Sequence, residues 1–274
     1  AKKSLSRDQI LEEVWGSNYL YDFKIVDVNI IYPKIIESNI SDFKNILIGR
    51  EFVDIDRIGK WLMFDLNDYY LLSHLRMEGK YFVKKSTDEI IKHEHIIISF
   101  DDGTDLRYHD TRKFGRMNLV KKSDIDKVEA IKKQGIEANS NKLTKEYLYD
   151  KIHKKNIPIK SLLLDQTIIS GLGNIYANEV MFDARINPNK LGKDISLKEC
   201  DLIVKASKKI IDAAIKDGGT TIKSYTSSLG VTGRFQQHLM VHKREGEECK
   251  VCGTLIENIK IGGRSTYFCP KCQK

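Results

Sequence analysis

The chain has 274 residues, 31% of them charged and 41% hydrophobic, which is typical of a folded protein with room for two domains. Its 46 Lys and Arg exceed its 38 Asp and Glu, so the net charge is +8. No apolar run is long enough to span a membrane, and the opening Ala1-Lys-Lys-Ser4 lacks the apolar region of a secretory signal. These features exclude membrane and disordered classes and predict a cytoplasmic protein. The basic balance fits either a polyanionic partner or a solvated lysine surface.

Residues 1–122 are expected to be a short helix followed by β structure. Ser6-Arg-Asp-Gln9 has capping-box spacing and precedes apolar residues at helical spacing. Asp101-Asp-Gly103 predicts a hairpin turn, and several short strands with such turns favour a β-sandwich or flattened barrel. The predicted strands are Lys24–Ile31, Trp61–Leu66, Tyr69–Leu75 and His93–Phe100, with a further strand after the hairpin turn.

The period of the apolar residues changes to 3.6 after about residue 123, which predicts helices. Ser196-x-x-Glu199 is a capping box, and Gly218-Gly219 would end the helix that it opens. Residues 216–238 show little periodicity, and a long mobile loop there would be functional. The apolar stripe of the capped helix is expected to be Leu202, Ile203, Ala206, Ile210, Ala213 and Ala214.

The C-terminus carries a predicted metal site. Cys249-x-x-Cys252 and Cys269-x-x-Cys272 are separated by sixteen residues, and two such turns complete a closed tetrahedral shell of four thiolates. A closed shell leaves no place for a reactive water, so the expected Zn²⁺ is structural; an iron site or chance clustering are the alternatives. Between the pairs, a β-hairpin is predicted to turn at Gly262-Gly263 and to present Arg264 at its tip. Zinc ribbons occur in transcription, translation and repair proteins, so the ribbon alone does not decide function.

Five stretches taken together resemble the formamidopyrimidine-DNA glycosylase and endonuclease VIII family. The resemblance runs from about residue 24 to the end, and it implies an α+β multidomain protein with a DNA cleft between two lobes. The stretches are Ser73-His-Leu-Arg-Met-Glu-Gly79, Asp110-Thr-Arg-Lys-Phe-Gly115, Leu164–Ala177 with its Gly-Leu-Gly-Asn turn, Gly218-Gly-Thr-Thr221 through Phe235-Gln-Gln-His238, and the ribbon with Gly263–Cys269.

The implied architecture has four parts. An N-terminal β-sandwich with a leading helix covers 1–122, and a linker covers 123–145. A helix–two-turns–helix domain with a lesion loop covers 146–240, and the zinc-ribbon β-hairpin covers 241–274. A monomer is expected for a two-lobed clamp.

Three residues are expected to fill the gap left by an extruded nucleotide: Met77, Arg112 and Phe114. If their two loops meet, a thioether, a planar cation and an aromatic ring form one wedge. The competing interpretation assigns Met77 and Phe114 to the core and Arg112 to the surface.

Phosphate contacts are expected from Lys60, Asn174 and Arg264. The glycine turn before Asn174 leads into a helix, whose first amides suit a phosphate oxygen. Lys60 and Arg264 are implied by the resemblance, and so is a lesion contact by Glu78, which otherwise would be a surface carboxylate.

The sequence departs from the family at its opening. The family begins Pro-Glu, whose amine attacks the sugar C1′ and whose glutamate handles protons, and neither residue is present here. Three interpretations compete. The α-amine of Ala1 replaces the proline (with Lys2 and Lys3 as poorer nucleophiles), the protein is a catalytically silent binder, or the N-terminal residues differ from those of the working protein.

The expected function is base excision repair. The protein would bind duplex DNA at an oxidised purine or abasic site, flip the nucleotide, and excise the base or cut the strand through a Schiff base. The alternatives are a silent family member that binds lesions without excision, and an RNA-binding or translation factor. The wedge residues and the Gly-Leu-Gly-Asn turn argue against the last, because single-strand RNA binders do not need them.

Overall fold

The computed structural model describes residues 23–220 and 233–274, so the predicted leading helix and Ala1 lie outside the described residues. The described residues form two compact units. The first runs to Lys132, and the second comprises Lys133–Thr220 and Arg234–Lys274. Within these ranges, none of the helices combines the length and apolarity needed to cross a lipid bilayer.

The strands of the first unit follow the expected runs of β-branched and aromatic residues. They are β1 (Ile25–Ile30), β2 (Asp54–Ile58), β3 (Trp61–Asp65), β4 (Tyr69–His74), β5 (Lys80–Lys85), β6 (Glu94–Phe100), β7 (Thr104–His109) and β8 (Arg116–Lys121). Two short helices flank them, α1 (Ile40–Leu47) and α2 (Glu129–Lys132). The hairpin predicted at Asp101-Asp-Gly103 is confirmed, since β6 and β7 pair antiparallel across it.

The strands form two four-stranded antiparallel sheets, in the orders β1-β6-β7-β5 and β2-β3-β4-β8. Both sheets contribute to one core, with Ile98 from the first sheet and Phe64 and Leu71 from the second fully or almost fully buried in it. Successive strand residues point to opposite faces. Leu72 therefore turns to the outer face of the second sheet, where it packs in a smaller cluster with Trp61. The predicted β-sandwich is confirmed.

Helices dominate the second unit, as the change of period predicts. They are α3 (Lys145–Ile152), α4 (Ile159–Leu164), α5 (Asn174–Asp183) and α6 (Leu197–Lys216), with a short parallel pair of strands, β9 (Ile136–Glu137) and β10 (Ile169–Ser170). Two turns separate α4 from α5, at 165–168 and 171–173. The Gln166 side chain holds both, because its amide donates to Leu164 O and Leu172 O and accepts from the Gly171 N–H.

The capping box at the start of α6 is confirmed, with Ser196 and Glu199 bonding each other's backbone. The predicted apolar stripe of α6 is wrong at one residue, because Leu202 is 40% exposed. The buried face starts instead at Cys200, two residues earlier, and continues through Ile203 and Ala206 as predicted. Burial raises the pKa of the Cys200 thiol to about 12, which fits a core residue and not a nucleophile.

The zinc-ribbon hairpin is confirmed as β11 (Glu257–Ile261) and β12 (Arg264–Phe268), which pair antiparallel. It starts two residues later than Leu255, whose side chain is exposed. Gly262 and Gly263 both have positive φ, at 56° and 74°, a conformation that favours glycine at the two centres of a tight hairpin turn.

The prediction of a loop over residues 216–238 is wrong at both described ends of that segment. Lys216 is the last residue of α6, and Phe235–His238 form a 3₁₀ turn. Residues 221–232 lie outside the described residues.

Candidate nucleic-acid interface and metal centre

Met77 lies in the turn between β4 and β5 with 65% of its surface exposed, so it is not part of the core. The turn has a defined conformation. Arg76 has a positive φ of 54°, and its backbone N–H donates to Nδ1 of His74 at 3.0 Å. Glu78, the expected lesion contact, follows Met77 and is half-buried. A large unbranched apolar side chain is thus held out toward solvent on an ordered turn.

Arg112 and Phe114 lie in the turn between β7 and β8, and both are exposed, Phe114 at 53%. Cζ of Arg112 lies 4.8 Å from the centre of the Phe114 ring, a cation–π arrangement. The fully buried Asp110 shapes the turn. Its carboxylate accepts from the backbone N–H groups of Arg112 at 3.0 Å, and of Phe114 and Gly115 at 2.9 Å each.

The two turns meet at the hydroxyl of Tyr108. A Cβ added at Gly79 or at Gly115 would overlap that one oxygen, so both glycines pack directly against it. Gly79 closes the turn that carries Met77, and Gly115 closes the turn that carries Arg112 and Phe114. The structure therefore brings the carriers of the three wedge residues together, and any side chain at either glycine would push them apart.

Lys60 is exposed in the turn between β2 and β3, after Gly59 with its positive φ of 59°. It belongs to a group of cations near His74. Burial first, and then the charges of Arg76, Lys60 and Arg116, lower the pKa of His74 to about 4. His74 is thus a neutral imidazole beside three positive charges. Sequence reasoning did not single it out, although it lies inside the Ser73–Gly79 stretch. This end of the second sheet offers cations and a polar ring to an anion.

In the second unit, Asn174 and Arg264 are brought close together. Asn174 is the first residue of α5, and its Nδ2 donates to the backbone oxygen of Ser265 at 3.0 Å, beside Arg264 on β12. An amide nitrogen carries two hydrogens, so this contact leaves one for a phosphate oxygen. Gly173 precedes the helix without a side-chain cap, so the first helical N–H groups can also face an anion. Arg264 is exposed beside them.

A buried polar cluster, formed by Lys160, Asn178, Glu179 and His242, lies beneath this anion site. Nζ of Lys160 donates to Oδ1 of Asn178, and Nδ2 of Asn178 lies 2.7 Å from Nδ1 of His242. The Glu179 carboxylate accepts from the N–H groups of Met240, Val241 and His242 at 2.8, 3.1 and 2.8 Å. These bonds tie α5 to the segment that enters the ribbon. Sequence reasoning missed the cluster; its only signal is a lysine within the apolar run Ile159–Leu164.

The metal centre has the expected ligands. The Sγ atoms of Cys249, Cys252, Cys269 and Cys272 all lie within 4.8 Å of one another. The Cys249–Cys272 and Cys252–Cys269 pairs are separated by 4.0 and 3.5 Å. A tetrahedral shell with Zn–S bonds of about 2.3 Å has edges of about 3.8 Å, so the four sulfurs fit one Zn²⁺. Four thiolates close the shell, and the ion would hold the base of the hairpin that carries Arg264 and Ser265.

The described ends of the 216–238 segment pack against Tyr176 of α5, two residues after Asn174. Oγ1 of Thr220 donates to the hydroxyl of Tyr176 at 3.1 Å, and the rings of Phe235 and Tyr176 meet edge to face at 5.7 Å. The backbone N–H of Phe235 also donates to Gly219 O at 3.0 Å. Both described ends of the segment therefore lie next to the anion site.

Family models match three parts of the chain. Residues 16–117 match the formamidopyrimidine-DNA glycosylase N-terminal domain, and residues 134–226 match its H2TH domain. Residues 246–274 match the zinc finger found in FPG and IleRS. The three matches cover both units and the metal centre.

Relatives match over nearly the full length. The formamidopyrimidine-DNA glycosylase of Ureaplasma parvum is 40% identical over 260 residues, which is 94% of each chain. That of Listeria innocua is 42% identical over 252 residues, or 92% of each chain.

Solved structures agree with these matches. A Lactococcus lactis FPG mutant in complex with DNA containing Fapy-dG has a TM-score of 0.90 and 34% identity, and covers 98% of this chain and 96% of its own. The Lactococcus lactis Fpg in complex with DNA containing an abasic site has a TM-score of 0.89 and 35% identity over the same shares. With three domain models in order and relatives above 40% identity over nine-tenths of its length, the chain belongs to the formamidopyrimidine-DNA glycosylase family.

Proposed function

We propose that this protein is a DNA glycosylase and abasic-site lyase of base excision repair, acting as a monomer on duplex DNA that contains an oxidised purine or an abasic site. Its family membership supports the activity, and the relatives' DNA complexes support the substrate class. We place its work at the chromosome in the bacterial cytoplasm. The zinc ion is structural.

The observation that carries the proposal is the meeting of two turns at the Tyr108 hydroxyl. Met77 and Phe114 are large apolar side chains, more than half exposed, on turns that hydrogen bonds from backbone N–H groups to the side chains of His74 and Asp110 hold in place. Unstacking a base from a duplex costs a few kcal/mol, and an inserted wedge offsets part of that cost. Arg112 would pair with the orphaned base, and Glu78 would contact the lesion.

Phosphate binding is assigned to Lys60 in the first unit and to Asn174 and Arg264 in the second. Cations and helix-start amides position a nucleic acid through its backbone and are insensitive to base sequence. Specificity would then come from the extruded nucleotide and the residues that contact it.

The chemistry needs an amine. Its nitrogen forms a bond to C1′ as the bond from C1′ to the base breaks, and the resulting imine permits strand cleavage. The α-amine of Ala1, with a reference pKa of about 8, is the proposed nucleophile, and it lies outside the described residues.

Borohydride trapping tests the nucleophile. The protein is incubated with a duplex carrying an abasic site, borohydride reduces the imine, and peptide mass mapping locates the cross-link. We expect it at Ala1. A cross-link at Lys2 or Lys3 would move the role to that lysine, and retained binding without any cross-link would support a silent binder instead.

The wedge is tested by Met77→Ala. Affinity for abasic duplex should fall about tenfold while affinity for undamaged duplex stays nearly constant, because only the first complex has a gap to fill. Ile90→Ala is the matched control, since Ile90 is a half-exposed apolar residue of the same unit in a different loop. Equal losses on both duplexes would refute the wedge.

A further inference from the structure

Lys160 is a fully buried lysine with few partners. Its side chain is 0% exposed on α4, and its ammonium contacts Oδ1 of Asn178 and, at 3.5 Å, the backbone oxygen of Asn174. Among residues 23–220 and 233–274, no carboxylate lies within salt-bridge distance of its Nζ. A buried ammonium without a paired carboxylate is costly, so its position needs an explanation.

The charged residues that face Lys160 from neighbouring elements do not supply enough negative charge to neutralise it. Arg264 faces it from β12, Glu179 from α5, and His242 from the segment before the ribbon. Glu179 is the nearby acid, and it already accepts three backbone N–H groups. Burial, with the charges of Lys160 and Lys243, lowers the pKa of His242 to about 4, so its ring is neutral.

The hairpin tip also packs on α4 directly beside Lys160. A Cβ added at Gly262 would lie 3.1 Å from Oγ of Ser161. The arginine that is proposed to bind phosphate and the buried lysine are therefore held on adjoining elements. The Asn174 backbone, which Lys160 contacts, belongs to the other proposed phosphate ligand of this unit.

We propose that Lys160 is a positioning residue that links phosphate binding to proton uptake: when a DNA phosphate neutralises Arg264, the Lys160 amine takes up a proton and holds α5 and its Asn174 against the phosphate. The proposal rests on the phosphate roles of Asn174 and Arg264. It assigns no contact with DNA to Lys160 itself.

The sign of the effect follows from the charges. Burial first, and then repulsion by Arg264, lower the pKa of Lys160 to about 7 in the free protein, while Glu179 raises it only in part. An anion at Arg264 cancels the repulsion and adds attraction, so the pKa rises in the complex. Below pH 7 the amine is charged in both states. Above pH 7 only the complex is protonated, so affinity falls as pH rises, by at most about tenfold per pH unit.

Calorimetry measures the proton directly. The full-length protein is titrated with a duplex carrying an abasic-site analogue at pH 8, in two buffers of different ionisation enthalpy. We expect uptake of about 0.5 to 1 proton per complex in the wild type. In Lys160→Met this uptake should disappear, and the affinity should become nearly flat from pH 7 to pH 9.

Lys205→Met is the matched control. It removes one positive charge from an exposed pair with Asp201 on α6, so uptake should stay at the wild-type level. Unchanged uptake in Lys160→Met would overturn the proposal. If that variant does not fold, zero uptake by the wild type would do the same. Loss of duplex binding by the wild type at all pH values would instead refute the proposed function.

Discussion

Among the described residues, each unit buries one cation completely, and the two units surround it differently. The guanidinium of Arg107, in the β-sandwich, pairs with Glu94 at 3.1 Å and Asp105 at 2.9 Å. It also donates to the backbone oxygens of Glu89, Lys85 and Asp88. Lys160, in the helical unit, contacts one amide oxygen and one backbone oxygen and has no paired carboxylate among the described residues.

This difference separates a structural cation from one that depends on an external anion. Arg107 has within the fold every partner that a buried guanidinium needs, and it holds the 85–89 turn against the first sheet. Lys160 is compensated only in part, by Glu179, and it faces Arg264, an exposed arginine that is proposed to bind phosphate. Buried charge is tolerated in a fold when it is paired. The negative charge that compensates Lys160 is therefore expected to come with the DNA phosphate at Arg264, without a direct contact to Lys160.

Removal of the metal should have the largest effect on duplex affinity. It should change the unit that contains Lys160 and leave the surroundings of Arg107 unchanged. Structural zinc contributes its binding energy to folding, so chelation should unfold the β11–β12 hairpin and displace Ser265 and Arg264. Duplex affinity should fall at least about a hundredfold, because two charge-assisted contacts of roughly 1.5–3 kcal/mol each are lost. Hydrogen exchange of the β6 and β7 amides around Arg107 should not change. Faster exchange there would show that the surroundings of Arg107 also depend on the metal.

Arg107→Met should have the next largest effect. It leaves the carboxylate of Asp105 buried without its cation and that of Glu94 with Lys84 alone, which costs about 3–5 kcal/mol of unfolding free energy. Urea denaturation measures the loss. Lys44→Met, which removes an exposed pair with Asp27, should cost less than about 1 kcal/mol. Similar losses for both variants would mean that burial does not distinguish the two pairs.

The elements that local chemistry fixes could be predicted from the sequence. The strand runs, the hairpin after Phe100 and the capping box of Ser196 and Glu199 depend on neighbouring residues, and all are confirmed. The four cysteines also follow from spacing alone.

Features that depend on distant packing could not be predicted. Lys160 is buried against residues of α5, and the hairpin about 100 residues later packs on the neighbouring Ser161; a lysine in an apolar run gives no sign of these distant contacts. The meeting of Gly79 and Gly115 at Tyr108 depends on strand pairing across the first unit. The sequence pattern assigns Leu202 to the buried face in place of Cys200 because both fit helical spacing, Leu202 four residues before Ala206 and Cys200 three residues before Ile203.

Arg264→Ala tests whether the exposed neighbour of Lys160 binds phosphate. Affinity should fall about tenfold on every duplex, and the slope of log affinity against log salt should decrease by about one. Arg185→Ala is the control, because Arg185 is an exposed arginine of the same unit that stacks on Phe182. An unchanged salt slope in Arg264→Ala would mean that Arg264 does not bind phosphate. The proposed protonation of Lys160 would then lack its cause.

The most direct test of the comparison is the pH dependence of stability without DNA. The pKa of Lys160 is lowered to about 7 in the folded protein, against about 10.4 in an unfolded chain. Between these values the unfolded chain binds more protons, so the lysine's contribution to stability is complete above the unfolded pKa and is lost as pH falls to 7.

The free energy of unfolding of the wild type, relative to that of Lys160→Met, should therefore rise by about 2 kcal/mol from pH 6 to pH 9. The same comparison with Lys205→Met should be flat. Arg107 offers no such change, because a guanidinium stays charged throughout this range. A constant difference between wild type and Lys160→Met would mean that the buried ammonium is stable without DNA. Lys160 would then be as structural as Arg107, and proton uptake on binding would have to come from another group.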